Sequence, residues 1–430
     1  MAPTEPHDCT TISNTVLSVR PWGRPMTEIR AGDDLPLKTT LAVYGAGLFS
    51  NSISNMMNIV VPLWALALDP TPLTLGLILG ARSFLPLLLA IHGGALMDRI
   101  GTRRVLLFFG LVAIITTPLY PAMPFIPALI ALQMLNGLAA TMGWVGAQTL
   151  IGQVMRGSTR HSGRLSFASR IGSFGGPPAV GVIWDLFGPW PCFALLTLPG
   201  IAMWWAAQIL PPDAPILQES GATGLRLRDL LPRPSDYVEA FRMLALPAVA
   251  FVVLMAAVRI SGNGIKSSFY IVYLNEIGMT GTLIGILASA NSLTGSFSAL
   301  ATRAATRIMR APILLFVTVA LSVVLIAITP MFTTFVVLLL VTATRGVTMG
   351  MSQPLMISIM SKSSGSRQGH AVGLRTTTNR LIGVVVPIGM GALMQGVGIE
   401  LAFYITGAVL MLMLVPALST MRRAGLVRGG

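Results

Sequence analysis

Acidic side chains are scarce in this sequence, with 15 Asp and Glu among 430 residues. Charge of either sign makes up 10% of the chain, against roughly a quarter in a soluble domain, while 53% of residues are hydrophobic. That balance excludes an ordinary soluble fold and indicates an integral membrane protein. Cysteine is nearly absent: Cys9 lies in a polar N-terminal stretch and Cys192 in an apolar run, so no disulfide framework is available. Catalytic signatures are missing too. There is no G-x-x-x-x-G-K-[ST] phosphate loop, so ATP does not drive the protein directly, and there is no H-E-x-x-H, no G-x-S-x-G and no cluster with metal-ligand spacing. An enzyme is not expected, nor is a cofactor or metal.

Long apolar runs are what the sequence does have. A hydrocarbon core ~30 Å thick needs roughly 17 to 25 apolar residues per helix. On that measure twelve spans are predicted, at 40–67, 73–96, 104–122, 125–154, 166–187, 191–211, 244–274, 281–302, 311–329, 332–357, 372–395 and 399–420. The expected organisation is an all-α membrane protein. It comprises a disordered tail (1–39), a six-helix bundle (40–211), a linker (212–243), a second six-helix bundle (244–420) and a short C-terminal tail (421–430). The linker segment "DYVEAFRML" pairs Asp236 with Glu239 at capping-box spacing, ahead of an amphipathic turn expected at the membrane interface.

Loop charge gives an independent test of this count. Of the 29 Lys and Arg, 25 fall in the N-tail, in alternate loops and in the C-tail; the second-half loops hold Arg303, Arg307, Arg310, Lys362, Arg367, Arg375 and Arg380. The opposite loops carry no cation and are edged by Asp69, Asp185, Glu276 and Glu400. The positive-inside rule then places both termini in the cytoplasm of a bacterial-type inner membrane. The net charge of +14 is accounted for by topology, and no nucleic-acid partner is expected. No cleavable signal precedes the first span, which is expected to act as the insertion signal.

The chain also repeats itself. At an offset of 210, "GRLSFASRIGSFGGPPAVG" aligns with "GLRTTTNRLIGVVVPIGMG", matching Gly163 with Gly373, Arg170 with Arg380, Pro177 with Pro387 and Gly181 with Gly391. Gly76 and Gly285 match at 209. Duplicated halves are common in transporter folds.

Between the second and third spans runs "GALMDRIGTRRVL". Gly94, Leu96, Asp98, Arg99, Gly101, Arg103 and Leu106 fit the pattern G-x-L-A-D-R-x-G-R-K-x-x-L, and the chain thereby resembles the major facilitator superfamily over nearly its whole length. Met97 and Thr102 depart mildly from the pattern. The resemblance implies two pseudo-symmetric six-helix bundles around a central cavity, alternating access, and a cytoplasmic gate at Gly94, Asp98, Arg99, Gly101 and Arg103. Gly101 permits a tight turn with positive φ, and Asp98 can hold Arg99 or Arg103. The second-half loop "ATRAATRIMRAP" has lost the Asp and Gly, so any latch is one-sided. In the fifth span, Gly172, Gly176, Pro177 and Gly181 are similar to the superfamily's antiporter pattern, with Val180 replacing a glycine. That pattern is associated with export, although Pro387 and Gly391 in the eleventh span allow ordinary helix packing as the explanation.

Four cations remain once those 25 are assigned to loops and tails, and they are read as intramembrane: Arg82, Arg259, Lys266 and Arg345. A central Lys or Arg costs about 2.5–3.5 kcal/mol on insertion scales, so such residues are expected to face water or a partner. Arg259, Asn263 and Lys266 share a helical face at i, i+4 and i+7, with Gly262 and Gly264 inviting a helix break. Asn51, Asn55 and Asn58 hold the matching positions in the first span. In the superfamily the first and seventh helices face each other, which makes these ladders opposing walls of an electropositive cavity. A small organic anion or zwitterion is the expected substrate, held by Arg as a fork and Lys as a point charge. The alternatives are an efflux antiporter for neutral or amphiphilic drugs and a non-transporting sensor. In place of the drug antiporters' R-x-x-Q-G, the fourth span has Gln133, Asn136 and Gly137, which speaks against an ordinary proton relay. His92, Asp98 and Asp185 are the remaining titratable candidates. The expected partners are the substrate, the bilayer and a coupling ion, proton or counter-anion, with the chain a monomer.

Overall fold

The computed structural model describes residues 36–155, 159–210, 242–363 and 368–426. Residues 1–35 of the N-terminal tail and 211–241 of the linker, with Asp236 and Glu239, lie outside them, and the first helix begins at Leu37, within the stretch expected to be disordered. Among the described residues the first half holds α1 (Leu37–Leu66), α2 (Pro72–Ile100), α3 (Thr102–Ala122), α4 (Ile126–Gln153), α5 (Thr159–Phe187) and α6 (Pro189–Ile209). The second half holds α7 (Pro247–Lys266), α8 (Phe269–Glu276), α9 (Gly281–Ile308), α10 (Ala311–Ala327), α11 (Phe335–Ser363), α12 (Gln368–Val397) and α13 (Ile399–Arg423). A helix satisfies its own backbone hydrogen bonds, which is the condition for lying in lipid.

Among the described residues, nine stretches are long and apolar enough to cross a membrane, α7 and α8 counting as one. Of the other long helices, α10 is apolar but only 17 residues long. The first helix falls short by composition, because Asn51, Asn55 and Asn58 interrupt it, and α5 does so because Gly, Ser and Pro run through it together with Arg170 and Asp185. Asn51 and Asn55 of α1 and Arg170 of α5 turn to neighbouring helices. Elsewhere large apolar side chains face outward, with Leu300 81%, Leu412 68% and Phe297 67% exposed. A surface of that kind needs lipid around it.

The repeat seen in the sequence is also a repeat of contacts. In the first half α1 packs on α5 and α6, α2 on α4, and α3 on α4 and α6; in the second, α7 packs on α12 and α13, α9 on α11, and α10 on α11 and α13. Two further seams join the halves, α2 against α12 and α5 against α9. Their closest points are the repeated glycines. A methyl group on Gly76 would sit 2.5 Å from the Pro387 carbonyl oxygen, and one on Gly285 would strike the carbonyl oxygen of Pro177. Gly181 approaches the Gly281 carbonyl in the same way, and Gly391 that of Pro72. Pro177 and Pro387 thus offer carbonyls against which only a glycine fits.

The seventh span is broken, but not at the predicted place. Gly262 and Gly264 are helical, and α7 ends at Lys266; Ser267 and Ser268 separate it from α8. The break is held by serine hydroxyls. Ser268 Oγ donates to the Gly264 carbonyl at 2.6 Å, replacing the backbone donor lost when the Ser268 N–H turns to Ile265, and Ser267 Oγ adds to the backbone N–H already bonded to the Asn263 carbonyl, at 3.0 Å.

Candidate substrate cavity

Three adjoining cavities lie between the chain halves. The largest, ≈ 390 Å³, is lined by residues of α1, α2, α4, α7 and α12, including Asn58, Arg82, Gln133, Asn263, Asn379 and Arg380. A second of ≈ 180 Å³ shares Arg82, Ser83 and Arg380 and adds Asn51 and Trp144. The third, ≈ 30 Å³, shares Asn58 and Ser267 with the largest and contains Asn55, Ser173, Lys266 and Tyr270. No Asp or Glu is among these lining residues.

Arg82 is held in place from α1. Its Nη1 donates to the Ser54 carbonyl at 3.1 Å and to Asn58 Oδ1, so Asn58 orients the guanidinium across the cavity. Arg380 faces the same space from α12 and has no hydrogen-bond or ion-pair partner among the described residues. The structure corrects its assignment to the loop cations: α12 begins at Gln368, so Arg375 and Arg380 both lie within the helix, and Arg170 likewise lies within α5. Arg170 and Arg380 are repeat mates with different fates. Arg170 Nη1 donates to Ser296 Oγ across the α5–α9 seam at 3.1 Å, whereas Arg380 is left open to the cavity. The repeat alignment contains this signal, since it pairs the two arginines inside a glycine–proline span.

The single cationic face predicted on the seventh span is divided by the structure. Asn263 and Lys266 line cavities, but Arg259 belongs to none of the three. Its Nε donates to Ser352 Oγ at 3.0 Å and its Nη2 to Gln353 Oε1 at 2.6 Å, tying α7 to α11. The i, i+4, i+7 spacing sets the angle of these side chains about the axis without saying that α11 fills the space beside Arg259. Arg345 is 2% exposed, and its Nη2 donates to the Gly262 carbonyl at 2.6 Å. Its Nε and Nη1 have no partner among the described residues. The asparagine ladder is divided too. Asn51 Nδ2 donates to the Ser169 carbonyl at 2.8 Å and to Ser173 Oγ at 2.7 Å, and Asn55 reaches the same Ser173 at 3.1 Å, so this pair chiefly fastens α1 to α5.

At the end of the molecule where Asp69 and Asp185 lie, the α5–α9 seam is pinned by one carboxylate. Asp185 accepts from the backbone N–H groups of Gly281 and Thr282, both at 2.7 Å, and from Thr282 Oγ1 at 2.6 Å. An anionic group there caps the positive end of α9. At the arginine-rich end, Gly101 takes φ 95° between α2 and α3, and Arg103 donates to the Ala207 and Gln208 carbonyls at 3.2 and 3.0 Å. Arg103 therefore also holds the end of α6. The side chains of His92, Asp98 and Arg99, and the surroundings of Gly94, lie outside the described residues. One contact there had no signal in the sequence: Tyr44 of α1 and His161 Nδ1 of α5 form a 2.5 Å hydrogen bond.

A membrane-embedded helical protein with a cationic cavity between two halves of like packing defines a class, the small-molecule transporters. The chain matches the profile of the Major Facilitator Superfamily over residues 43–387 and again over 252–425, and it belongs to that family; it is a transporter and not an enzyme. It is similar to the "Putative metabolite transport protein YfiG" of Bacillus subtilis (strain 168), with 27% identity over 210 residues. That match spans 45% of this chain and 42% of the relative, less than half the length of either. A crystal structure of a mutant of the nucleoside transporter NupG shares the fold, with a TM-score of 0.73 and 12% identity, over 89% of this chain and 99% of that one.

Proposed function

We propose that this protein is a secondary transporter that exports a small organic anion or zwitterion across a bacterial-type cytoplasmic membrane by alternating access. In this reading two six-helix bundles rock about the cavity, with both termini and the arginine-rich loops on the cytoplasmic side. One observation carries it: Arg82 and Arg380 face a common cavity that has no carboxylate among its lining residues. Unpaired cations inside a membrane are costly, and a substrate carboxylate or phosphate supplies the missing charge through bidentate hydrogen bonds. In this reading the close seams at Gly76–Pro387 and Gly285–Pro177 are the outer gate, and an exported substrate enters from the arginine-rich, cytoplasmic end. The coupling partner in this scheme is a counter-anion or a proton.

A thermal-shift panel on purified protein tests the substrate class. A ligand present at 100 times its dissociation constant stabilises by about 2.7 kcal/mol. Carboxylates, phosphate esters or zwitterions are expected to raise the melting temperature by a few degrees, and the best of them should show flux in liposomes. Stabilisation by neutral amphiphiles alone would instead identify a drug exporter, and binding without flux a sensor.

The gate assignment has its own test. Asp98→Asn is expected to reduce flux at least tenfold while leaving substrate affinity within about twofold, because it weakens a cytoplasmic latch rather than the cavity. Unchanged flux would remove Asp98 from the gate.

A further inference from the structure

The cavity has two cationic poles. Arg82 and Arg380 form one, shared between the ≈ 390 Å³ and ≈ 180 Å³ spaces. Lys266 forms the other, in the ≈ 30 Å³ pocket that adjoins the largest cavity at Asn58 and Ser267. Asn58 belongs to both poles, because its Oδ1 accepts from Arg82 while its side chain also lines the Lys266 pocket. Lys266, like Arg380, has no hydrogen-bond or ion-pair partner among the described residues. Arg345 adds positive charge beside Lys266, and two of its three guanidinium nitrogens are buried without a partner among the described residues.

The two poles open on different spaces. Arg82 and Arg380 line the two larger cavities, which Lys266 does not, and Lys266 lines only the adjoining pocket, whose volume admits little more than a single polar headgroup. Resting on the anion reading above, we propose that the substrate is a two-ended organic dianion, with one acidic group held by Arg82 and Arg380 and the other reaching Lys266. The two poles suit different tasks. The paired guanidiniums present planar donors that orient a carboxylate or phosphate, while the ammonium, on a flexible four-carbon stem, follows the second group over a range of positions. Lys266 lies in the last turn of α7, where a cation also complements the helix dipole. That accounts for a charge at this point of the chain and not for its opening onto the pocket.

Selectivity follows from the unpaired second pole. A site with a buried charged group rejects an analogue that leaves the group unmatched, so a dianion should be preferred over a monoanion of the same chain length by about 10–100-fold. The experiment measures affinities of the full-length protein in detergent at fixed salt. The probes are a homologous series of α,ω-dicarboxylates and phosphocarboxylates and the matched monocarboxylates. Lys266→Ala and Lys266→Gln should bring dianion affinity down to near the monoanion level while lowering monoanion affinity far less, and Lys266→Arg should keep most of the preference. Melting temperatures are recorded alongside.

Equal binding of dianion and monoanion by the unmodified protein would overturn the proposal without any variant. So would a parallel loss of both affinities in Lys266→Ala, or a lower melting temperature with both affinities kept, which would make Lys266 a structural cap. In each of these outcomes monoanions still bind, so the anion reading survives. Failure of every acid in both series to bind would reject the anion reading together with this proposal.

Discussion

Arg380→Ala is expected to lower anion affinity by about 10–100-fold, the worth of one charge-assisted contact, with the melting temperature unchanged or raised. The sign on stability follows from its surroundings: Arg380 faces the cavity with no partner among the described residues, so its removal relieves an uncompensated charge and breaks no bond. Arg82→Ala should cost similar affinity and some stability, because Asn58 Oδ1 and the Ser54 carbonyl lose their donor. Arg259→Ala should show the opposite profile, with affinity kept and stability lost, since it strands Ser352 and Gln353 on α11. Affinity and melting temperature measured together on the three variants separate these roles. If Arg259→Ala loses affinity and Arg380→Ala keeps it, the cavity has been assigned to the wrong arginine.

In the proposed orientation, adding a single methyl group at either seam is expected to hold the outer side open. At Gly76 and Gly285 the obstructing atoms are backbone carbonyls of Pro387 and Pro177, which cannot rotate away as a side chain would. Overpacking of this kind costs about 1–3 kcal/mol, enough to shift a two-state equilibrium about 5–150-fold. Gly76→Ala and Gly285→Ala should therefore each reduce flux at least tenfold while substrate still binds. Asp185→Ala acts in the same direction by uncapping α9. The measurement is labelling of Ser173→Cys, a residue of the cavity, by a membrane-impermeant thiol reagent added from the outer side in a background lacking the native cysteines. Faster labelling in the glycine variants is the expected result. Unchanged labelling with normal flux would show that these seams are permanent packing and no gate.

The two predictions draw unequally on the sequence. The glycine–proline seams were legible in it, because a contact that tolerates only glycine constrains residue type at both copies of a repeat: Gly76 matches Gly285, and Pro177 matches Pro387, with no knowledge of any partner. What presses on each glycine was not legible, since the contacting carbonyl belongs to a helix in the other half of the chain. The cavity was legible only in part. Asn58, Arg82, Asn263 and Lys266 line it, as the scarcity of charge in the spans leads one to expect. Arg380 escapes a reading by loop charge because it lies near the arginine-rich end of its predicted span, 372–395, where a helix-embedded arginine is counted with the loop cations.

By itself the sequence determined that this protein is helical, embedded in a membrane, duplicated and a member of its transporter family. The reason is that lipid forces every backbone polar group to be satisfied within its own segment, so span length and loop charge are written locally along the chain. Only the tertiary structure decided which embedded cations are free. Arg259 and Lys266 lie two turns apart on one face of a helix, yet α11 supplies hydrogen-bond partners to the first while the second opens on a cavity. Arg170 and Arg380 hold equivalent places in the repeat, yet Ser296 on α9 occupies only the first. Whether a buried charge is paired depends on what the neighbouring helix presents at the same depth, and residues far apart in the chain set that.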